Sequence, residues 1–264
     1  MRLSFLLCMM LPPPLALCGH GAMATPPTKV MIDPGHGGRD DGTSRNRIRE
    51  ADITLSVARK LYSRLKTDRR FRPLITRDSD LKMTLNERAR AAKEQDAEIF
   101  LSIHVNSSPD ARAKGAEFYF QNQLPPDEES MFLAHRENDL ESGAAEFTYP
   151  FLEKTRYPAD VATIVTDLLD NDRILRSSRL STALKQNWRG SRKSKTNSVR
   201  QAPFFVLSQM SAPSALVELG FLTNAEDFRL LTDPQAQEQM AEDLYRGLLQ
   251  YRESITKGHA FRQP

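Results

Sequence analysis

Two histidines and two glutamates in this chain stand where they could hold a metal ion and move a proton. The chain has five histidines. His20 lies in an apolar leader and His259 in a polar tail, and His135 falls in an acidic stretch where a surface position is its simplest reading. His36 sits in Asp33-Pro34-Gly35-His36-Gly37-Gly38, directly after a short apolar run. His104 sits in Ser102-Ile103-His104-Val105-Asn106, near the end of another. If both runs are parallel strands, their carboxyl ends share one rim, which is where open α/β sheets bind ligands. Glu50 opens the first helical stretch, 14 residues after His36, and can return a carboxylate to that rim. Two imidazoles, one carboxylate and an open fourth position are the ligand count of a hydrolytic zinc site. Zinc lowers the pKa of its water from about 16 to about 7. Glu218 lies in the otherwise apolar Ala215-Leu216-Val217-Glu218-Leu219. A carboxylate is costly to bury there unless paired or used. Beside such a water it would act as general base and pass the proton to a leaving nitrogen.

Each residue alone has a plainer reading. Asp-Pro-Gly-His-Gly-Gly could be a tight turn, its glycines supplying positive φ. With no Gly-Lys-Ser/Thr after it, it is a poor phosphate loop. Glu50 could merely complement a helix dipole. His104 could be a hydrogen-bonded core histidine and Glu218 half of a buried ion pair. The ligands are dispersed and there is no HExxH; it is their order along the chain that favours a site. Asn106 and Arg200 are further candidates to orient a substrate, or simply loop hydrogen-bonding groups.

The elements that would position these residues alternate. Lys29 to Asp33 reads as a buried strand stopped by Pro34-Gly35. Ile53, Leu55, Val57, Ala58, Leu61 and Leu65 recur at helical spacing across 51–66. Pro73 to Arg77 is a second strand. Thr84, three residues before Glu87, opens a helix with a capping box. Glu98 to Asn106 and Gly115 to Phe120 are further strands. Residues 122–156 interrupt the pattern: they are polar and acidic, enter at Pro125-Pro126 and hold a helical piece near 130–140, which suggests a movable element outside the core. A long helix follows at 158–187, with Trp188 and the apolar stripe expected in the core. Strands are expected at Pro203 to Leu207 and Pro213 to Leu219, and a final helix at 234–253. The order specifies a single α/β domain with a mostly parallel sheet and a helical insertion.

Residues 1–24 read as a signal peptide: Arg2, then an apolar stretch broken by Pro12, Pro13 and Pro14, then Ala22-Met23-Ala24. The stretch is too short and proline-broken to span a membrane, so export to the periplasm is expected. Cys18 leaves a lipid-anchored form as the alternative. Both cysteines, Cys8 and Cys18, fall in this leader, so the expected mature domain, 25–264, has no disulfide, cysteine metal site or thiol nucleophile. Of 37 basic and 34 acidic residues the leader holds only Arg2. A nearly balanced domain gives no reason to expect nucleic acid as a partner. A basic cluster at Arg189, Arg192, Lys193 and Lys195 is a solvated loop, or a contact for an anionic polymer.

Met31 to Gly38, Glu50, Leu101 to Asn106 and Leu216 to Asn224, in that order over residues 29–254, resemble the zinc-dependent N-acetylmuramoyl-L-alanine amidases of bacterial peptidoglycan. The resemblance implies that His36, Glu50 and His104 bind Zn2+ and that Glu218 is the catalytic carboxylate. The implied reaction is hydrolysis of the amide between the muramoyl lactyl group and L-alanine of the stem peptide. In the Gram-negative division amidases a helix in an insertion plugs the active site with a glutamate until an activator removes it. Leu133 to Gly143 looks like that segment, with Glu137 as first candidate plug and Glu141 as second. The resemblance also implies an open, twisted sheet flanked by helices, and the N-terminal targeting domain of many such amidases is not expected here. A monomer with peptidoglycan as substrate and a protein activator as partner is expected. The rival readings are a zinc peptidase cutting within the stem peptide and a non-catalytic wall-binding protein.

Overall fold

The computed structural model of the chain describes residues 26–139, 159–189 and 198–260. The expected signal peptide, Glu141 and Arg192 to Lys195 lie outside the described residues.

Fifteen elements are described: β1 (Thr28–Pro34), β2 (Ser44–Arg45), β3 (Ile48–Arg49), α1 (Glu50–Lys66), β4 (Phe71–Ile75), α2 (Leu85–Glu94), β5 (Ile99–Asn106), β6 (Glu117–Phe120), α3 (Glu128–Asp139), α4 (Ala159–Asn187), β7 (Ser198–Gln201), α5 (Phe205–Ser208), β8 (Ser214–Phe221), α6 (Ala225–Thr232) and α7 (Pro234–Ala260). Six strands form one sheet in the order β4-β1-β5-β8-β6-β7, and β2-β3 is a small hairpin. β4, β1, β5 and β8 are mutually parallel, while β6 runs antiparallel to β8 and carries β7 parallel to itself. This is the mostly parallel, helix-flanked single domain expected.

β5 and β8 are buried along their whole length, as strands covered on both faces must be. Their two faces nevertheless differ. Val30, Ile32, Leu101, Ile103, Phe118 and Val217 share a core with Val57 and Leu61 of α1, Leu180 and Leu184 of α4 and Leu244 and Leu248 of α7. Met31, Phe100, Tyr119 and Leu216 point the other way, against Ala89, Ala92, Leu133, Ala134, Phe204 and Leu207. Side chains alternate along a strand, so the second face also carries Asp33, Ser102, His104, Glu117 and Glu218 at the strand ends. The chemistry-bearing residues therefore share one side of the sheet.

The helix starts follow local chemistry. Thr84 and Glu87 form the expected capping box on α2, and Asn224 accepts from Glu226 and Asp227 backbone N–H to cap α6. Three expectations are corrected. The apolar stripe of α4 is core only in part: Leu180 and Leu184 are buried, whereas Ile164, Leu168, Leu169 and Leu175 are exposed. Pro203 to Leu207 is not a strand: the ladder ends at β7, and Phe205 begins the short helix α5. A brief apolar run cannot separate strand from buried helix. Here Asn138 decides, its Oδ1 accepting from Phe205 N at 2.8 Å. The insertion is also not wholly outside the core, because α3 buries Leu133 and Ala134 in the second cluster. His135 is exposed, and Trp188 is buried. Among the described residues no helix is long and apolar enough to cross a membrane.

Candidate metal centre

β1 ends at Pro34, and the chain turns at once through Gly35 into His36, which has a φ of 57°. β5 delivers His104 from the neighbouring strand. α1 starts at Glu50, so its first carboxylate returns to the same rim. His36 Nε2 and His104 Nδ1 lie 3.1 and 3.2 Å from Glu50 Oε1. Glu50 is fixed by two backbone donors, Val105 N at 2.8 Å on Oε1 and Thr43 N at 2.9 Å on Oε2. Glu137 of α3 enters from the opposite side, its Oε2 3.3 Å from both ring nitrogens. Donor atoms of His36, His104 and Glu137 all lie within 4.8 Å of one another, and all three residues are buried. The structure thus brings the three expected ligands together and adds Glu137.

The electrostatics suit a cation. Burial alone would depress His36, but Glu50, Asp40 and Glu137 outweigh it and push the ring up to about 12. Burial likewise opposes, and Glu137 and Glu50 raise, His104 to about 9. Glu50 is held at about 2 by His36 and His104 in spite of its burial. Two carboxylates facing two imidazoles need balancing positive charge, supplied either by protons on both rings or by a dication between neutral rings. Among the described residues neither His36 Nε2 nor His104 Nδ1 has an aligned hydrogen bond, although carboxylates stand beside both. Ring nitrogens aimed at a shared point, not at individual oxygens, fit a metal ion.

Glu218 faces His104 across the β5–β8 register. It is wholly buried, and among the described residues neither carboxylate oxygen has a hydrogen-bond partner. Burial pushes its pKa well above the usual carboxylate range. An unpartnered buried carboxyl is expensive, and such groups concentrate at functional sites.

Residues 30–250 match the family model for N-acetylmuramoyl-L-alanine amidases, Amidase_3. The chain belongs to that family. It is 30% identical to the amidase AmiA of Escherichia coli, over 84% of this chain and 75% of AmiA. It is 29% identical to an Escherichia coli AmiC, over 85% of this chain and 53% of AmiC, so it spans about half the length of that relative. A solved structure of the amidase AmiC2 of Nostoc punctiforme superposes with a TM-score of 0.60 at 26% identity, covering 86% of this chain and 97% of that one.

Several parts of this amidase site escape sequence reasoning. His36 Nδ1 lies 3.0 Å from Asp40 Oδ2, which leaves Nε2 to face the centre. An acidic residue four positions after a candidate ligand histidine was the available signal. Gly35 is obligatory by contact, since a Cβ there would stand 2.5 Å from His104 Cε1. Gly42, at φ +63°, leaves room for Glu50, and its Cβ would lie 2.5 Å from Oε2. Arg136 holds the other oxygen of Glu137 at 3.1 Å and donates to Ser107 Oγ at 2.9 Å. Glu117, the register partner of Glu218 on β6, accepts from Asn106 Nδ2 and Tyr119 OH at 3.1 and 2.9 Å. Asn106 is thus turned toward a buried carboxylate, while Arg200 lies beyond Glu117 on β7.

Proposed function

We propose that the chain is an exported, periplasmic, zinc-dependent amidase that hydrolyses the bond between N-acetylmuramic acid and L-alanine in peptidoglycan. The observation that carries this reading is the convergence of His36, Glu50 and His104 on one point beside the unpartnered Glu218, in a chain of this family. His36 Nε2, His104 Nδ1 and Glu50 Oε1 would hold the metal, with Asp40 orienting the His36 ring. When bound, zinc supplies a Lewis acid for the scissile carbonyl and makes hydroxide available near neutral pH. Glu218 takes the proton of the attacking water as the water oxygen bonds to the carbonyl carbon. It then delivers that proton to the departing nitrogen as the C–N bond breaks, leaving the L-alanine amine and a lactyl carboxylic acid, which loses the second water proton to solvent.

Glu137 would occupy the open coordination position, so that α3 restrains the enzyme until a protein activator binds the open form better. The 3.3 Å approach of its Oε2 to both rings supports that reading. Glu141, the second candidate, lies outside the described residues.

Digestion of purified sacculi followed by mass spectrometry tests the reaction. Peptide-free glycan with intact stem peptides beginning at L-alanine is the expected product. Shortened stems still attached to glycan would instead establish a zinc peptidase on this scaffold.

A further inference from the structure

We infer that Arg200 is a specificity-determining residue that binds a free carboxylate of the substrate's stem peptide, and that α3 covers it with a carboxylate of its own. The inference rests on the amidase reading and adds a second contact to it. Its basis is one row of side chains across the second face of the sheet. His104 on β5 is in register with Glu218 on β8, which is in register with Glu117 on β6. Glu117 pairs with Ser198 of β7, and Tyr119, two residues on and on the same face, pairs with Arg200. Strands lie about 4.8 Å apart, which puts Arg200 roughly 14 Å across the sheet from His104 and two residues off its row, on the row of Tyr119 and Leu216.

The partners of Arg200 are of two kinds. Its Nε faces groups that belong to the sheet, Glu117 Oε1 at 3.2 Å and Ser198 Oγ at 3.1 Å. Its Nη1 faces Glu129 Oε2 of α3 at 2.7 Å and Asp127 Oδ1, from the residue just before α3, at 3.5 Å. Glu117 is buried, whereas Glu129 and Asp127 are more than half exposed. If α3 moves, Glu117 stays and anchors the guanidinium, while Nη1 loses its carboxylates. An arginine fixed on one edge and open on the other is a carboxylate receptor.

α3 spans both points: Glu137 meets the histidines and Glu129 meets Arg200, eight residues apart on one helix. That spacing is about 12 Å at 1.5 Å per residue. An extended peptide covers the same distance in about three to four residues. The helix therefore imitates a substrate whose reacting carbonyl lies at the metal and whose free carboxylate lies about three residues along the stem.

The test uses two synthetic muramoyl peptides that differ only in whether the carboxylates near the third stem residue are free or amidated. Their affinities are measured by calorimetry on the zinc-loaded Glu137→Ala chain, with hydrolysis followed alongside. The free acid is expected to bind on the order of ten-fold tighter, the usual worth of a charged hydrogen bond. Arg200→Gln should abolish that preference while leaving the amidated peptide unaffected, and Arg200→Lys should retain part of it. Glu129→Gln, which leaves Arg200 in place, should preserve it. A preference that survives Arg200→Gln, or equal loss of both peptides in that variant, overturns the inference. Selective binding without any cleavage would overturn the amidase reading alone, because the affinity difference stands independently of turnover.

Discussion

Replacing Glu137 by glutamine preserves the shape of α3 and removes the charge that reaches the metal centre. The consequence can be followed from its contacts. Oε2 approaches the two ring nitrogens in a buried setting, while Oε1 meets the part-exposed Arg136. A buried charged contact of this length is worth about 1.5–3 kcal/mol, the range of a charged hydrogen bond, and the part-exposed pair with Arg136 adds about 0–1. The substitution therefore costs the closed state about 2.5 kcal/mol. The other ties of α3 are untouched: Leu133 and Ala134 stay buried, Arg136 still reaches Ser107, and Asn138 still bridges Pro203 O and Phe205 N. Suppose the closed form is favoured by about 2.7 kcal/mol, so that roughly one molecule in a hundred is open. Removing about 2.5 kcal/mol leaves closed and open forms nearly equal, and the basal rate rises about 40-fold. Release of soluble fragments from dye-labelled sacculi measures that rate, with zinc content determined on the same samples. An unchanged rate at equal zinc would refute the restraint. Loss of both zinc and activity would refute it differently, by making Glu137 a permanent ligand.

Glu218→Gln should keep the metal and lower turnover by about 10² to 10⁴, the usual contribution of proton transfer; loss of zinc in this variant would make Glu218 a ligand instead. Asp40→Asn should weaken zinc binding about 10- to 100-fold, as removal of a carboxylate orienting a metal-bound histidine does, and competition with a chromogenic chelator reads it directly. Gly42→Ala should cost about 1 kcal/mol or more in backbone strain and push Glu50 off the centre, so both the melting temperature and zinc content should fall. A fully loaded Gly42→Ala protein would show that Glu50 does not need its observed position.

The parts of the site that were legible in the sequence are those fixed by strand ends. His36 follows β1, His104 and Glu218 stand near the ends of strands whose apolar runs are unmistakable, and Glu50 begins a helix with a clear stripe. Each is placed by a local rule, and the parallel topology then does the convergence. The parts that were not legible depend on contacts made after folding. β7 is a short polar segment, Ser-Val-Arg-Gln, with little strand propensity of its own; it is a strand because β6 offers it a free edge. The apolar run that follows looked like a better strand and became α5, because Pro203 cannot extend the ladder and Asn138 of a distant helix caps the turn. Glu117 shows the same limit for function. In sequence it is one acidic residue in a strand that also holds Phe118 and Tyr119, and nothing local separates a solvent-facing position from a buried one. Only the register with Glu218 on one side and the ion pair with Arg200 on the other turn it inward. Sequence order thus located the groups that would bind metal, whereas the groups that would distinguish one substrate from another lie on an edge the fold creates.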